Sequence, residues 1–194
     1  SDTFFPVPAT LVVSGSGNEA NIITVVWSGI VSSTPPTIGI SLYKERYSLE
    51  LIRKTGEFTV NIACTDLVKE TDYCGIISGR KTNKFSDTGL TPLPGAVVKS
   101  PIIEQCPYNM ECKVVGEMEL GDWILVLGEI VETHIDEDKI IENKGKNKID
   151  ISTLSLSEMA VPYFHFNSAP VKDIFPMPSE LRYKIAPVPL TGSV

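Results

Sequence analysis

A long hairpin constrains this chain more than any other feature of its sequence. Tyr108 to Leu120 leads through Gly121-Asp122 into Trp123 to Ile135, and both arms have the composition of strand rather than helix. In the first arm Glu111, Lys113, Glu117 and Glu119 occupy one parity, and Cys112, Val114, Gly116 and Met118 the other. Because strand side chains alternate across a sheet, this pattern predicts one wet and one buried face. Gly116 and Gly128 fall inside the arms, where glycine weakens a strand but allows the sharp coiling or close approach that barrel corners use.

Shorter strand-like segments rich in Val, Ile and Thr precede the hairpin: Thr10 to Ser14, Ile22 to Trp27, Thr37 to Leu42 and Phe58 to Ala63. SGSGNEAN between the first two has the composition of a hairpin loop, and Thr34-Pro35-Pro36 imposes an extended turn before the third. Their succession suggests an antiparallel meander. Two helices interrupt it. Ser48 is placed to cap LELIRK, which stops at Gly56, and a second helix runs from about Asp66 to Ser78 with Gly79 as a left-handed cap. The polar segment 142–150 reads as a loop at the end of the barrel. Farther on, Pro170, Pro176, Pro178, Pro187 and Pro189 exclude the tail from a central sheet, while Ile174, Phe175, Met177 and Leu181 are too apolar for pure disorder. A single domain over residues 1–166 and an extended arm over 167–194, packed on the barrel or on a partner subunit, reconcile these facts.

The chain's 194 residues suit one domain with a real core, and no stretch approaches the roughly 20 apolar residues of a membrane span. SDTFFPVPATLVVSG has no basic region ahead of its apolar run and does not read as a secretory signal, so a cytoplasmic location is expected. A net charge of −7 argues against nucleic-acid binding, and it means that any anionic ligand must be held by a local basic cluster. Cys64, Cys74, Cys106 and Cys112 form no Cys-x-x-Cys pair and have only His134 and His165 beside them, which speaks for buried or bystander thiols and against a metal site.

Two short segments concentrate positive charge and hydroxyl groups. KERYS, at 44–48, sets Lys44, Arg46 and Ser48 ahead of a helix N-terminus, an arrangement that suits either a phosphate cradle or an ordinary solvated cap. SGRKTNKF, at 78–85, gathers Ser78, Gly79, Arg80, Lys81 and Lys84, as a phosphate loop or as cations dressing a helix C-terminus. His134 reads as the end of a strand, and His165 as a packed or exposed position in an aromatic run. There is no nucleophile elbow, P-loop or dinucleotide-binding glycine motif, so no catalytic side chain is assigned and any chemistry belongs to a cofactor.

Four blocks in order, NIITVVWSGIVSSTPPTIGISL, KERYSLELIRKTGEFTVNIA, DYCGIISGRKTNKFSDTGLTPL and LGDWILVLGEIV, resemble the flavin reductase-like, FMN-binding split-barrel family, in particular its flavoredoxin branch. The resemblance spans roughly residues 5–166 and implies a mainly β split barrel, Greek-key-like, with short helices. It implies that Thr24, Val25, Val26 and Trp27 lie along the isoalloxazine of FMN, largely through backbone groups, and that Ser41 and Leu42 continue that wall. Arg46, Ser48, Ser78, Gly79, Arg80 and Lys84 would receive the phosphate, and Phe164 would close the site. A homodimer with the flavin near the subunit junction is implied too. Many NAD(P)H-dependent members carry Gly-Asp-His where this chain has Gly121-Asp122-Trp123, a departure that bears on the nicotinamide side of the flavin. The resemblance therefore favours an FMN electron-transfer flavoprotein working with a redox partner protein. The alternatives are an NAD(P)H-dependent flavin reductase and a non-catalytic flavin-binding or interaction module.

Overall fold

The computed structural model describes residues 7–143 and 146–149. The boundary expected at residue 166, the arm over 167–194, Phe164 and His165 lie outside the described residues. In chain order the strands and α-helices are β1 (Thr10–Ser14), β2 (Asn21–Val25), β3 (Ser28–Ser33), β4 (Pro36–Tyr43), α1 (Tyr47–Thr55), β5 (Glu57–Ile62), α2 (Val68–Ile76) and α3 (Lys84–Thr88). Then come β6 (Pro92–Leu93), β7 (Ile102–Ile103), β8 (Tyr108–Leu120), β9 (Trp123–Ile135), β10 (Ile140–Asn143) and β11 (Lys146–Ile149).

Seven strands form one antiparallel sheet in the order β2-β1-β5-β8-β9-β4-β3. This order differs from the expected meander. The first hairpin, β1 and β2, lies beside β5, whereas β3 and β4 cross to the far side of the long hairpin, where β4 pairs with β9 and β3 with β4. Its end strands are not bonded to each other, so the sheet curls into a split barrel rather than a closed one. Val12, Ile23, Ile40, Phe58, Val60, Cys112 and Val126 meet inside it, with Leu49 and Ile52 of α1 added from one end. A second cluster joins Leu11, Val13 and Ile22 to Cys74, Phe85 and Ile103, so β1 is covered on both faces and all five of its residues are buried. Gly128 is a point of close approach: a Cβ there would lie 2.5 Å from the Phe58 ring.

The long hairpin is present over its full expected length, but its burial pattern departs from simple alternation. A bulge between Val114 and Gly116 shifts the register, so Gly116, Met118 and Leu120 turn to the outer face opposite Leu127, Leu125 and Trp123. Met118, expected to be buried, is consequently exposed, as are Val115 and Leu120. Glu111, expected on the wet face, is fully buried instead. The connection between β6 and β7 lies over it: the Ala96, Val97 and Val98 N–H groups donate to its carboxylate at 2.7–2.8 Å, and His134 Nε2 lies 2.6 Å from Oε1. His134 therefore does more than decorate a strand end. Thr59 Oγ1 donates to Pro101 O, and Ile103 N–H donates to Asn61 Oδ1, fixing the rest of the connection.

Two further expectations are corrected. Segment 142–150 was expected to be a loop, yet Ile140–Asn143 and Lys146–Ile149 pair as a two-stranded ribbon, because backbone pairing does not require apolar side chains. The second helix is shorter than its amphipathic pattern suggested: Thr65–Leu67 is a 3₁₀ turn, and α2 ends at Ile76 with Ile77 extended. Gly79 therefore caps no helix. Gly56, by contrast, closes α1 in the left-handed region with φ 72°, its N–H donating to Ile52 O.

Glu111 generates a test. Desolvation pushes its carboxyl up, but the bonds from Val98, His134, Ala96 and Val97 outweigh that and hold it below the ordinary carboxylate range. Glu111→Gln is expected to cost about 2–3 kcal/mol, read as a lower urea midpoint at unchanged slope. Glu117→Gln, which breaks a partly exposed pair with Arg53, is expected to cost less than about 1 kcal/mol.

Candidate functional site

A cavity of about 210 Å³ opens where β2, the β4–α1 junction and the end of α2 converge. The KERYS segment supplies Arg46 and Ser48 to its wall, SGRKTNKF supplies Ser78, Gly79 and Lys84, and Asn21, Tyr43 and Tyr47 line it too. The fold thus brings the two basic segments together. Tyr47 and Ser48 form the first turn of α1, where backbone N–H groups have no intrahelical acceptor and favour an anion.

Ser48 takes part differently from expectation. Arg46 is the N-cap residue and makes no side-chain capping bond, and Ser48 lies one residue inside the helix, buried to 1% exposure. Its Oγ accepts a 2.7 Å bond from Asn21 Nδ2, which leaves the hydroxyl proton free to be donated. Gly79 lies against the same amide. A Cβ on Gly79 would fall 1.8 Å from Asn21 Oδ1, so a side chain there would displace Asn21 and with it Ser48.

Lys84 was expected in a short basic loop but opens α3 and is only 3% exposed. Its Nζ donates at 2.7 Å to Ile22 O of β2 and at 2.7 Å to Cys74 O of α2, and no carboxylate pairs with it among the described residues. Burial lowers its pKa to about 8, and the neighbouring Arg46 guanidinium pushes in the same direction. Arg46 likewise forms no ion pair among the described residues. Two cations without acidic partners beside a helix N-terminus make an anion site, with Glu45 the one carboxylate on its described lining. Cys74, also on the wall, is kept as a thiol by burial, its pKa pushed up to about 11. Arg80 lies outside this cavity: it pairs with Glu50 at 2.7 Å and sits 4.9 Å over the Tyr47 ring.

Tyr43 links the cavity to an aromatic cluster. Its ring meets Trp123 edge-on at 5.7 Å, and Trp123 packs against Trp27 at 4.3 Å. Trp27 follows β2 rather than ending it, and is 40% exposed. Its carbonyl accepts from Ser41 N–H at 2.9 Å, which ties the β2–β3 turn to β4. The remaining candidates on these strands turn elsewhere: Val25 and Leu42 point into the barrel core, Val26 is half-buried, and Thr24 Oγ1 donates to Thr71 O of α2. Any ligand along this wall would meet backbone at Val25 and Leu42.

Residues 2–164 match the family described as flavin reductase like domain. The chain belongs to that family. Among flavin reductase-like proteins of known structure it is similar to the flavoredoxin of Desulfovibrio vulgaris (Miyazaki F), at 32% identity and a TM-score of 0.73, covering 79% of this chain and 81% of that one. The flavoredoxin from Methanosarcina acetivorans is 32% identical with a TM-score of 0.69, covering 76% and 78%. An uncharacterized protein of Archaeoglobus fulgidus is 38% identical over 136 residues, 70% of this chain and 76% of that protein.

Asn21, Tyr43 and Tyr47 were missed as cavity residues. Asn21 opens the block NIITVVW, but an isolated Asn before a strand reads as a turn residue, and only the sheet's curl brings it to Ser48. Gly79→Ala tests this contact. It is expected to lower stability by about 1–3 kcal/mol, and by clearly less in an Asn21→Ala background. Urea unfolding of the four proteins of this double-mutant cycle reads the difference, and equal losses in both backgrounds would remove the contact as the cause.

Proposed function

We propose that this flavin reductase-like protein binds FMN with its phosphate in the Arg46–Lys84 cavity and its ring system toward Trp27, and serves as an electron-transfer flavoprotein. The observation that carries the phosphate assignment is the buried Lys84 ammonium, held by two carbonyls and next to Arg46, which has no ion pair among the described residues. Such a charge arrangement fits a dianion and is costly without one. Charge-assisted bonds contribute about 1.5–3 kcal/mol each, so Arg46, Lys84, the Ser48 hydroxyl and the first turn of α1 together would favour FMN over riboflavin. Ser78 and Gly79 complete that wall, with Gly79 making room for the Asn21 amide that orients Ser48.

Bound FMN supplies the redox chemistry. The protein's part is to orient and shield: Tyr43, Trp123 and Trp27 form an apolar ledge running from the cavity, and backbone groups of Thr24 to Trp27, with Ser41 and Leu42, offer hydrogen bonds along the ring edge. Trp123 packed on Trp27 supports electron transfer between proteins over direct reduction by NAD(P)H, because it fills the place where many reductases of the family carry a histidine. The likeness to two flavoredoxins, each at 32% identity, supports the same reading.

A homodimer completes the proposal. Val31, Leu125 and Leu127 converge over Gly39 on the outer face of the sheet, and Met118 and Leu120 extend the same face, opposite Leu125 and Trp123. Ile30, Val31, Met118 and Leu120 are each more than half exposed, an apolar patch that a second copy would cover. A cytoplasmic location is part of this reading.

Absorbance of the purified full chain is expected to show oxidised flavin, and the protein with free FMN and NADH or NADPH is expected to oxidise nicotinamide negligibly. Brisk turnover would instead identify a flavin reductase. The sign of the pH dependence is fixed by Lys84. Its pKa of about 8 in the free protein means that the ammonium is present below pH 8 and lost above it, whereas a bound phosphate holds the proton on. The FMN dissociation constant is therefore expected to be lowest near pH 7, to rise by up to about tenfold per pH unit above 8 as Lys84 loses its proton, and to rise again below about pH 6 as the FMN phosphate gains one, with riboflavin unaffected. A flat FMN profile would contradict the role of Lys84.

A further inference from the structure

None of the four cysteines is bridged, and nothing in the proposed flavin chemistry uses a thiol. The main sheet nevertheless sets two of them side by side. Strands β5 and β8 run antiparallel with Asn61 opposite Asn109 and Ile62 opposite Tyr108. Continued by two residues, that register puts Cys64 opposite Cys106. The line of β8 holds at least to Pro107, whose carbonyl accepts from Asp136 N–H at 3.0 Å. Cys64 Sγ lies 4.0 Å from the carbonyl oxygen of Gln105, the residue before Cys106, and Ala63, the residue before Cys64, shares one apolar cluster with Cys106. Residues directly opposite each other in an antiparallel pair have Cα atoms about 4.5–5.5 Å apart, inside the range of about 4.4–6.8 Å that a disulfide spans.

Both backbones are held in place. Cys64 O accepts from Leu67 N–H at 3.0 Å, Cys106 N–H donates to Ile103 O at 3.1 Å, and Cys106 O accepts from Asn109 Nδ2 at 2.8 Å. The two thiols differ in access. Cys64 is the one cysteine of the four that is not buried, whereas Cys106 is fully buried. Desolvation, with Cys64 and Cys74 close by, pushes the Cys106 thiol above the ordinary thiol range, so it stays protonated until a partner sulfur is presented to it. Cys112 lies apart, in the barrel core.

We infer that Cys64 and Cys106 form a redox-active dithiol that exchanges with low-molecular-weight disulfides and closes a reversible bridge outside the flavin site. The thiolate of Cys64 attacks one sulfur of the small disulfide, forming a mixed disulfide and releasing one thiolate. Cys106 then attacks the Cys64 sulfur, and its proton leaves with the second small thiol. Two protein thiols are oxidised to one disulfide and one small disulfide is reduced to two thiols. A bridge with one partner open to solvent belongs to the cycled class found where most cysteines are kept reduced. It ties the turn leading into α2 to the connection leading into β8, and it does not depend on the flavin.

The test is thiol mapping of the reduced full chain after incubation with excess oxidised glutathione at pH 8, with an acid quench, alkylation and mass spectrometry of the peptides. The wild type is expected to lose the mass of two hydrogens, to yield one cross-linked species containing Cys64 and Cys106, and to regain four alkylatable thiols with dithiothreitol. Cys106→Ala is expected to keep one glutathionyl group on Cys64, and Cys64→Ser to leave Cys106 as a free thiol. Four free thiols in the wild type, glutathione retained on its Cys64, or a bridge that includes Cys74 or Cys112 would each overturn the inference. The wild-type map decides it even if a variant fails to fold.

Discussion

The buried ammonium of Lys84 ties the fold to the proposed phosphate site. One bond reaches the Ile22 carbonyl on β2 and another the Cys74 carbonyl on α2, so a single side chain on α3 joins a barrel strand to two covering helices. Lys84 also lines the cavity read as an anion site. A carboxylate partner would neutralise it and leave nothing for a ligand, whereas two carbonyls take two of its three N–H donors and, with no carboxylate paired to it among the described residues, leave one donor and its charge for a ligand. Burial at this point therefore both fixes the local fold and creates demand for an anion. Asn21 works in the same way on a smaller scale: its amide orients Ser48 and its oxygen fills the space that Gly79 leaves open.

The rest of the scaffold serves to hold those elements in register. The long hairpin connects the two halves of the sheet, with β5 on one side and β4 on the other, so a slip in it would separate β2 from the β4–α1 junction. Its bulge at Val115 turns Met118 and Leu120 outward, and its buried Glu111 fastens the connection over residues 96–98 to the sheet. One end of the hairpin is thereby built into the core while the other presents an apolar outer face.

Much of this was legible in the sequence, and the parts that were not have physical reasons. Thr10 to Ser14 is a strand residue for residue, and the hairpin from Tyr108 to Ile135 has the expected ends, because β-branched composition and a Gly-Asp turn are local signals. The two basic segments were legible as possible phosphate loops, but their meeting depends on the sheet's curl. Strand β3 was not among the expected strands, because Ser28 and Gly29 precede exposed Ile30 and Val31 with no buried face to mark them. Glu111 was read as solvated, and the burial of Lys84 went unread, because charge in a sequence reports what a side chain carries and not which backbone groups surround it. Ser48 looked like a cap, but the helix begins one residue before it, and its hydroxyl is engaged by Asn21.

The central claim is that the Arg46–Lys84 cavity holds the phosphate of a flavin. Calorimetric titration of the flavin-free full chain with FMN and with riboflavin, for wild type and the Arg46→Ala/Lys84→Ala double variant, tests it most directly. The account predicts that the wild type binds FMN at least about a hundredfold more tightly than riboflavin, and that the double variant loses most of that preference while binding riboflavin as before. Equal affinity of the wild type for the two flavins, or equal losses for both in the variant, would contradict it.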